Sequence, residues 1–178
     1  FVYLIIGIWA LPAYSVNWDE PAHFLRGQAI LRYLLTGKKD YSDYETNPPV
    51  RRSLYQRKDF SYAFFEEKFW EPIRKGTGAG HATVSDVLSS IWNRVFYGRL
   101  GVVGDIEAYH LYSLTLAAIL VSVIFYVTAL HFGAFAGLVS ALALSLYPLF
   151  LGEARYNIKD VPEAVFYGLT TLAFYQGV

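Results

Sequence analysis

The chain has no cysteine and no methionine. Without cysteine there is no disulfide framework and no metal site built on thiolates, and the redox compartment is left open. Charge imbalance is missing too, since fifteen Lys and Arg are matched by fifteen Asp and Glu. A neutral chain gives no electrostatic reason to name nucleic acid or an acidic polymer as its partner. Whole stretches lack basic side chains, because thirteen of the fifteen fall between Arg26 and Arg99 and the others are Arg155 and Lys159. Apolar surface is what the chain has instead: 54% of its 178 residues are hydrophobic, more than an ordinary soluble domain carries.

The apolar residues are clustered. Residues 1–14 form a run that, at about 1.5 Å per residue, is too short to cross a hydrocarbon core of about 30 Å, so it is expected to be the exit half of a first spanning helix. No basic leader precedes it and no cleavage pattern follows, so it does not read as a signal peptide. Residues 108–130 and 132–151 are runs long enough to span, and residues 161–178 form another, interrupted by Glu163. The chain opens and closes inside apolar runs and is expected to be part of a longer protein. The turn around His131 and Gly133 is so short that the two middle runs must form a hairpin. A hairpin that crosses twice places the loop 15–107 and the short segment 152–160 on one face. The expected fold is an all-α membrane protein, a multi-spanning helical bundle with amphipathic surface helices in its long first loop.

Within that loop, Phe24, Leu25, Leu31, Leu34 and Leu35 recur at helical spacing, with Arg26 and Arg32 off the stripe and Gly37 in place of a C-terminal cap. A second amphipathic segment follows Thr83, with Val84, Val87, Leu88, Ile91 and Val95 on one face and Asp86 near its start. Both helices are expected at the membrane surface. Between them, Lys38 to Gly80 is rich in Tyr, Phe, Arg and Gly, with Pro48, Pro49 and Pro72 as breakers, and reads as an irregular cap. Gly133-x-x-x-Gly137 reads as a packing device that lets another helix come close.

Two acidic clusters stand at helix ends on the shared face. Asp19 and Glu20 follow the first apolar run in Val16-Asn17-Trp18-Asp19-Glu20-Pro21-Ala22-His23. Adjacent carboxylates at a membrane boundary repel one another, and either one ahead of Pro21 would also suit a helix N-terminus. The second cluster is Glu153-Ala154-Arg155-Tyr156-Asn157-Ile158-Lys159-Asp160-Val161-Pro162. Read alone it is an interfacial collar in which Arg and Lys snorkel, Tyr anchors, and Asp160 with Pro162 opens the next helix. A collar does not explain why both clusters lie on one face, which is how a site between helices is assembled from distant sequence. Asp19 and Asp160 are therefore expected to approach one another across a cleft.

The order of apolar helix, Asp-Glu, surface helix, spanning hairpin and Arg-Tyr-x-x-x-Asp before a fourth helix resembles the membrane glycosyltransferases of the C superfamily (GT-C). The nearest types are the protein O-mannosyltransferases and their bacterial phospholipid-carrier-dependent relatives. The resemblance covers nearly all of the chain. Asp19-Glu20 matches that family's first-loop acidic pair, and Arg155-Tyr156-Asn157-Ile158-Lys159-Asp160 its second acidic motif, with Asn-x-Lys-Asp-x-Pro typical of the bacterial branch. Bacterial members open the second surface helix with His-Pro-Pro. Here Gly80-His81-Ala82-Thr83 keeps the histidine without the prolines, and Asn47-Pro48-Pro49 keeps the prolines without the histidine. His81 is the preferred match because it stands directly ahead of the amphipathic run.

The resemblance implies a sugar donor joined to a polyprenyl phosphate, a mannose-like hexose or a pentose, transferred with inversion to a hydroxyl of a protein, lipid or glycan. It implies the plasma (inner) membrane, with the site on the extracytoplasmic face. Asp19 is the family's general base, with Glu20 beside it to orient the site or bind metal. The leaving phosphate needs positive charge, which Arg155 and Lys159 are placed to supply. A divalent ion held by Glu20 or Asp160 would act likewise in members that use metal. Tyr156, Asn157, His81 and His23 are further candidates, His23 as a group that orients a carboxylate or binds metal, and Trp18 as an interface anchor or sugar platform. Two other readings are a carrier or channel whose acids line an ion path, and a non-catalytic scaffold of the same fold. The acids stand at helix ends, whereas a transporter would place them nearer mid-span.

Overall fold

The computed structural model describes residues 2–14, 16–17, 19–37 and 84–177. Every regular element among them is helical. In chain order these are α1 (Val2–Ala10), α2 (Glu20–Thr36), α3 (Val84–Trp92), α4 (Asp105–Phe132), α5 (Ala134–Ser145), α6 (Pro148–Glu153) and α7 (Asp160–Gly177). A 3-10 turn at Leu11–Ala13 follows α1, and a π-helical stretch at Asn93–Arg99 follows α3. The chain divides into two compact units, one of Phe1–Tyr14 and Ser113–Val178, the other of Ser15–Tyr112. The cap expected between Lys38 and Gly80, and the residues Trp18 and His81, lie outside the described residues.

The first unit is built on an apolar hairpin. Gly133 takes φ 89°, a left-handed value open to glycine, and donates its N–H to Ala129 O at 3.0 Å. At Gly137 an added Cβ would stand 2.7 Å from Phe125 O, so its missing side chain is what lets α5 return along α4. Of the two glycines in the small-residue motif, one makes the turn and the other the close approach. Ala117, Leu120, Ala154, Val161 and Val165 form the buried core. Phe132, Phe135, Tyr167 and Phe174 point outward and are largely exposed.

Among the described residues one helix, α4, is long and apolar enough to cross a membrane. The second expected span, residues 132–151, is not one helix. It breaks at Leu146 and Tyr147, with Tyr147 extended at ψ 116° ahead of Pro148, whose ring excludes the helical conformation from the residue before it. The 12-residue α5 that remains reaches about 18 Å at about 1.5 Å per residue, short of a hydrocarbon core of about 30 Å. Helix α7 starts at Asp160 with Pro162 in its first turn, as expected.

In the second unit α2 packs on α3, and Gly27 marks the crossing. A Cβ there would stand 2.1 Å from the backbone oxygen of Asp86 and 2.3 Å from Ser90 Oγ. Gly37 closes α2 as its sequence position implies, at φ 69° with its N–H on Tyr33 O at 2.8 Å. The expectation of a one-sided surface helix fails for the first three turns of α2. There Glu20, His23, Gln28 and Ala29 are buried along with Phe24, Leu25 and Leu31, because α3 and the start of α4 supply polar partners. The exposed end carries Leu34 and Leu35.

Helix α3 has the expected period, but its inward face is the polar one. Ser85, Asp86, Ser89 and Ser90 are buried, while Val84 is 60% exposed. Asn93, at the start of the π-helical stretch, ties this face to α4. Its Nδ2 donates to Asp105 O at 2.9 Å and Oδ1 at 2.6 Å. Gln28 Nε2 donates to Asn93 Oδ1 at 3.2 Å and to the Tyr109 hydroxyl at 2.7 Å. The Tyr109 ring stacks on Phe24 with centroids 4.0 Å apart. Each buried amide thereby has a partner, which offsets its desolvation.

Candidate acidic and cationic sites

Asp19 and Glu20 are neighbours in sequence with different surroundings. Glu20 opens α2 and is 2% exposed. Its Oε2 accepts the backbone N–H of Asn17 at 2.8 Å, while the Glu20 N–H returns a bond to Asn17 O at 3.3 Å. This reciprocal pair closes the turn that delivers Asp19. His110 Nε2, from α4, lies 3.2 Å from the same carboxylate oxygen. Glu20 is thus held inside the unit. Asp19 makes no side-chain cap to the helix, and its carboxylate is 26% exposed. Of the acidic pair, Asp19 is the one open to solvent.

Behind Asp19 stands a buried ionic cluster. His23, one helical turn on, presents Nε2 at 3.8 Å from Asp19 Oδ2. Its Nδ1 is 2.8 Å from Asp86 Oδ1, and Arg26 Nε donates to Asp86 Oδ2. Arg26 Nη2 also lies 2.9 Å from His23 Nδ1. Asp86 is 2% exposed, so its charge is sustained by Arg26 and the imidazole rather than by water. The sequence placed Arg26 off the apolar stripe, which is correct, yet its side chain is only 13% exposed and turns inward to Asp86. Asp86 was legible only as an acid near a helix start, and for His110 the one sequence signal is a polar ring inside a run long enough to span.

The second cluster lies in the other unit and is assembled within a few residues. Asn157 is its hub: Oδ1 accepts the N–H of Lys159 at 3.0 Å and of Asp160 at 2.8 Å, capping α7. Its Nδ2 donates to Glu153 Oε2 at 2.8 Å and to Asp160 Oδ2 at 3.0 Å. The Tyr156 hydroxyl donates to Glu153 Oε1 at 2.6 Å. Lys159 Nζ is 3.7 Å from Asp160 Oδ1, and the Asp160 side chain is 62% exposed. Glu153, which opens the cluster in the sequence but was given no role there, and Tyr14, not singled out at all, complete the group. Arg155 Nη1 donates to the Tyr14 hydroxyl at 2.9 Å, and Tyr14 stacks with Tyr156.

Arg155 also lines a groove of about 510 Å³ whose other walls are mainly apolar, among them Ile6, Phe125, Leu138 and Leu142. Its Nε and the hydroxyl of Tyr3, which lines the same groove, are buried with no hydrogen-bond partner among the described residues. An unpartnered guanidinium N–H at the edge of an apolar channel suits an anionic group joined to a hydrocarbon chain. Lys159 is engaged with Asp160 and is not a lining residue of that groove. Among the described residues no group of three or more His, Asp or Glu side chains converges, and Glu20 has His110 as its only such neighbour in hydrogen-bond reach. No family model, curated protein or solved structure matches the chain.

Proposed function

We propose that this chain is the catalytic portion of an integral-membrane glycosyltransferase that moves a sugar from a polyprenyl-phosphate donor to an acceptor hydroxyl with inversion. The observation that carries the reading is Arg155, whose buried Nε has no partner among the described residues at the edge of the apolar groove. A polyprenyl phosphate has the matching parts, a hydrocarbon chain for the groove and a phosphate for the guanidinium. Asp19, the accessible member of the acidic pair, takes the acceptor proton as the new C–O bond forms at the anomeric carbon. The phosphate departs with the bonding electron pair, already stable as an anion, so cationic stabilisation matters more than a strong acid. Several spans, with the acidic residues on the extracytoplasmic face, belong to the same proposal. An ion path is disfavoured because Glu20 is enclosed by Asn17 and His110 rather than lining a channel.

The test uses the full-length protein in liposomes with polyprenyl-phosphate-linked hexose and pentose donors. Release of polyprenyl phosphate reads turnover, and retention of labelled donor reads binding. Asp19→Asn keeps the shape of the side chain but removes its basic oxygen, so turnover should fall roughly 10²-fold or more with donor binding retained. Arg155→Ala should weaken donor retention as well as turnover, because its charge acts on bound donor and leaving group alike. Near wild-type turnover in both variants would refute the proposal.

A further inference from the structure

The chemistry above uses Asp19 and leaves Asp86, His23 and Arg26 unexplained. Asp86 is buried on a different helix, 63 residues from His23 and 60 from Arg26. An ion pair serving only to join α2 to α3 would need Arg26 and Asp86. Nothing in that role requires an imidazole between Asp86 and the accessible carboxylate. We propose that Asp86 is a positioning residue that acts on Asp19 through His23, by fixing which imidazole nitrogen carries the proton. This rests on Asp19 being the general base.

The argument is one of donors and acceptors. A neutral imidazole has one N–H and one lone pair. Asp86 Oδ1 is 2.8 Å from Nδ1, and an unprotonated Nδ1 would set lone pair against lone pair there. The proton therefore sits on Nδ1 and is donated to Asp86. Arg26 Nε donates to the other oxygen of Asp86, and its Nη2, a donor only, stands 2.9 Å from the same Nδ1; in the proposed tautomer that approach of two donors is offset by the Asp86 carboxylate they share. The lone pair is left on Nε2, which faces Asp19 at 3.8 Å.

Two consequences follow at the base. The imidazole cannot donate a hydrogen bond to Asp19, so it does not compete with the acceptor hydroxyl for that carboxylate oxygen. Once Asp19 has taken that proton, the neutral acid can pass it to Nε2 on closing the remaining distance. The imidazolium so formed is compensated by the carboxylate of Asp86. One proton leaves the acceptor oxygen and one arrives on His23, and its release from Nε2 to water by way of the partly exposed Asp19 restores both groups for the next acceptor.

Asp86→Asn tests this directly. The amide oxygen still accepts from Arg26, while the amide N–H₂ faces Nδ1 and requires a lone pair there. The tautomer reverses, and Nε2–H points at Asp19. Nitrogen NMR of histidine-labelled full-length protein, with the His23 signal assigned by its loss in His23→Gln, should show the Nδ1–H form in the native chain and Nε2–H in Asp86→Asn. The same tautomer in both would overturn the proposal whatever the enzyme does. In the turnover assay Asp86→Asn should lower kcat roughly 10-fold or more while the donor KM stays level. In a His23→Gln background the Asp86→Asn change should cost nothing further, because its only route to Asp19 is gone. A full additional loss there, or a parallel loss of donor retention, would assign Asp86 a purely structural role and overturn the proposal. Asp19→Asn separates the two claims: if it is inactive while Asp86→Asn is fully active, the base stands and the positioning role falls; if Asp19→Asn is active, the base reading falls.

Discussion

The two acidic clusters are built in opposite ways. Around Asn157, four side chains from eight consecutive positions, Glu153 to Asp160, satisfy one another and two backbone N–H groups through a helix end and a capping turn. Around Asp86, the partners come from helices about sixty residues apart and lie inside the protein. A local motif needs only its own turn to form and stays half in water. A distant, enclosed cluster requires two helices to meet in register, and it leaves a stranded charge if one member is removed. The difference lies in how much of the fold each cluster commits.

The sharpest way to break this comparison is Asp86→Ala. It leaves the Arg26 guanidinium, 13% exposed, facing a void where its carboxylate stood. Loss of one partner from an enclosed pair costs about 3–5 kcal/mol. Thermal unfolding of the detergent-solubilised protein should show the loss, and a change within error would mean that the cluster is wetter than its burial implies. Next in size is Gly27→Ala. A methyl group 2.1 Å from the Asp86 backbone oxygen cannot be met by turning a side chain, so α2 and α3 must separate. Overpacking of this kind costs about 1–3 kcal/mol, to be read from the same unfolding curves. Asn157→Ala should have the smallest effect, about 0.5–2 kcal/mol, the usual range for losing a helix cap. Should Asn157→Ala prove as damaging as Asp86→Ala, the local motif would be carrying more of the fold than its short reach suggests.

What the sequence revealed follows the same division. The Gly37 cap, the Gly133 turn and the start of α7 at Asp160 were all legible, because each depends on residues within a turn of one another. The break before Pro148 was written in the sequence as well, but a twenty-residue run without a charged side chain masks one proline. Helix α3 is more instructive. Its period was right and its inward face was not foreseen, because periodicity shows that two faces differ without saying which one turns in. In a chain read as lying in a membrane, apolar side chains have a second place to go. The partners of His23 and Glu20 were hidden for a related reason: Asp86 and His110 approach only after the chain has closed loops of more than sixty residues, a distance over which spacing carries no information.

The inward-turned polar face of α3 also sets the dielectric in which the cluster works. Two unit charges 4 Å apart attract by about 1 kcal/mol in bulk water and about 4 kcal/mol at the effective dielectric of a protein site. Asp86, at 2% exposure, sits on the second side of that divide, and the Lys159–Asp160 pair, with Asp160 62% exposed, on the first. Added salt screens the open pair within a Debye length of about 8 Å at physiological strength and reaches the enclosed one far less. Water, not salt, is the agent that would weaken the enclosed cluster, whether admitted by a short-chain detergent or by a loosened α3. Asp19, 26% exposed, stands where the two regimes meet, in reach of water on one side and of His23, at the edge of the dry interior, on the other.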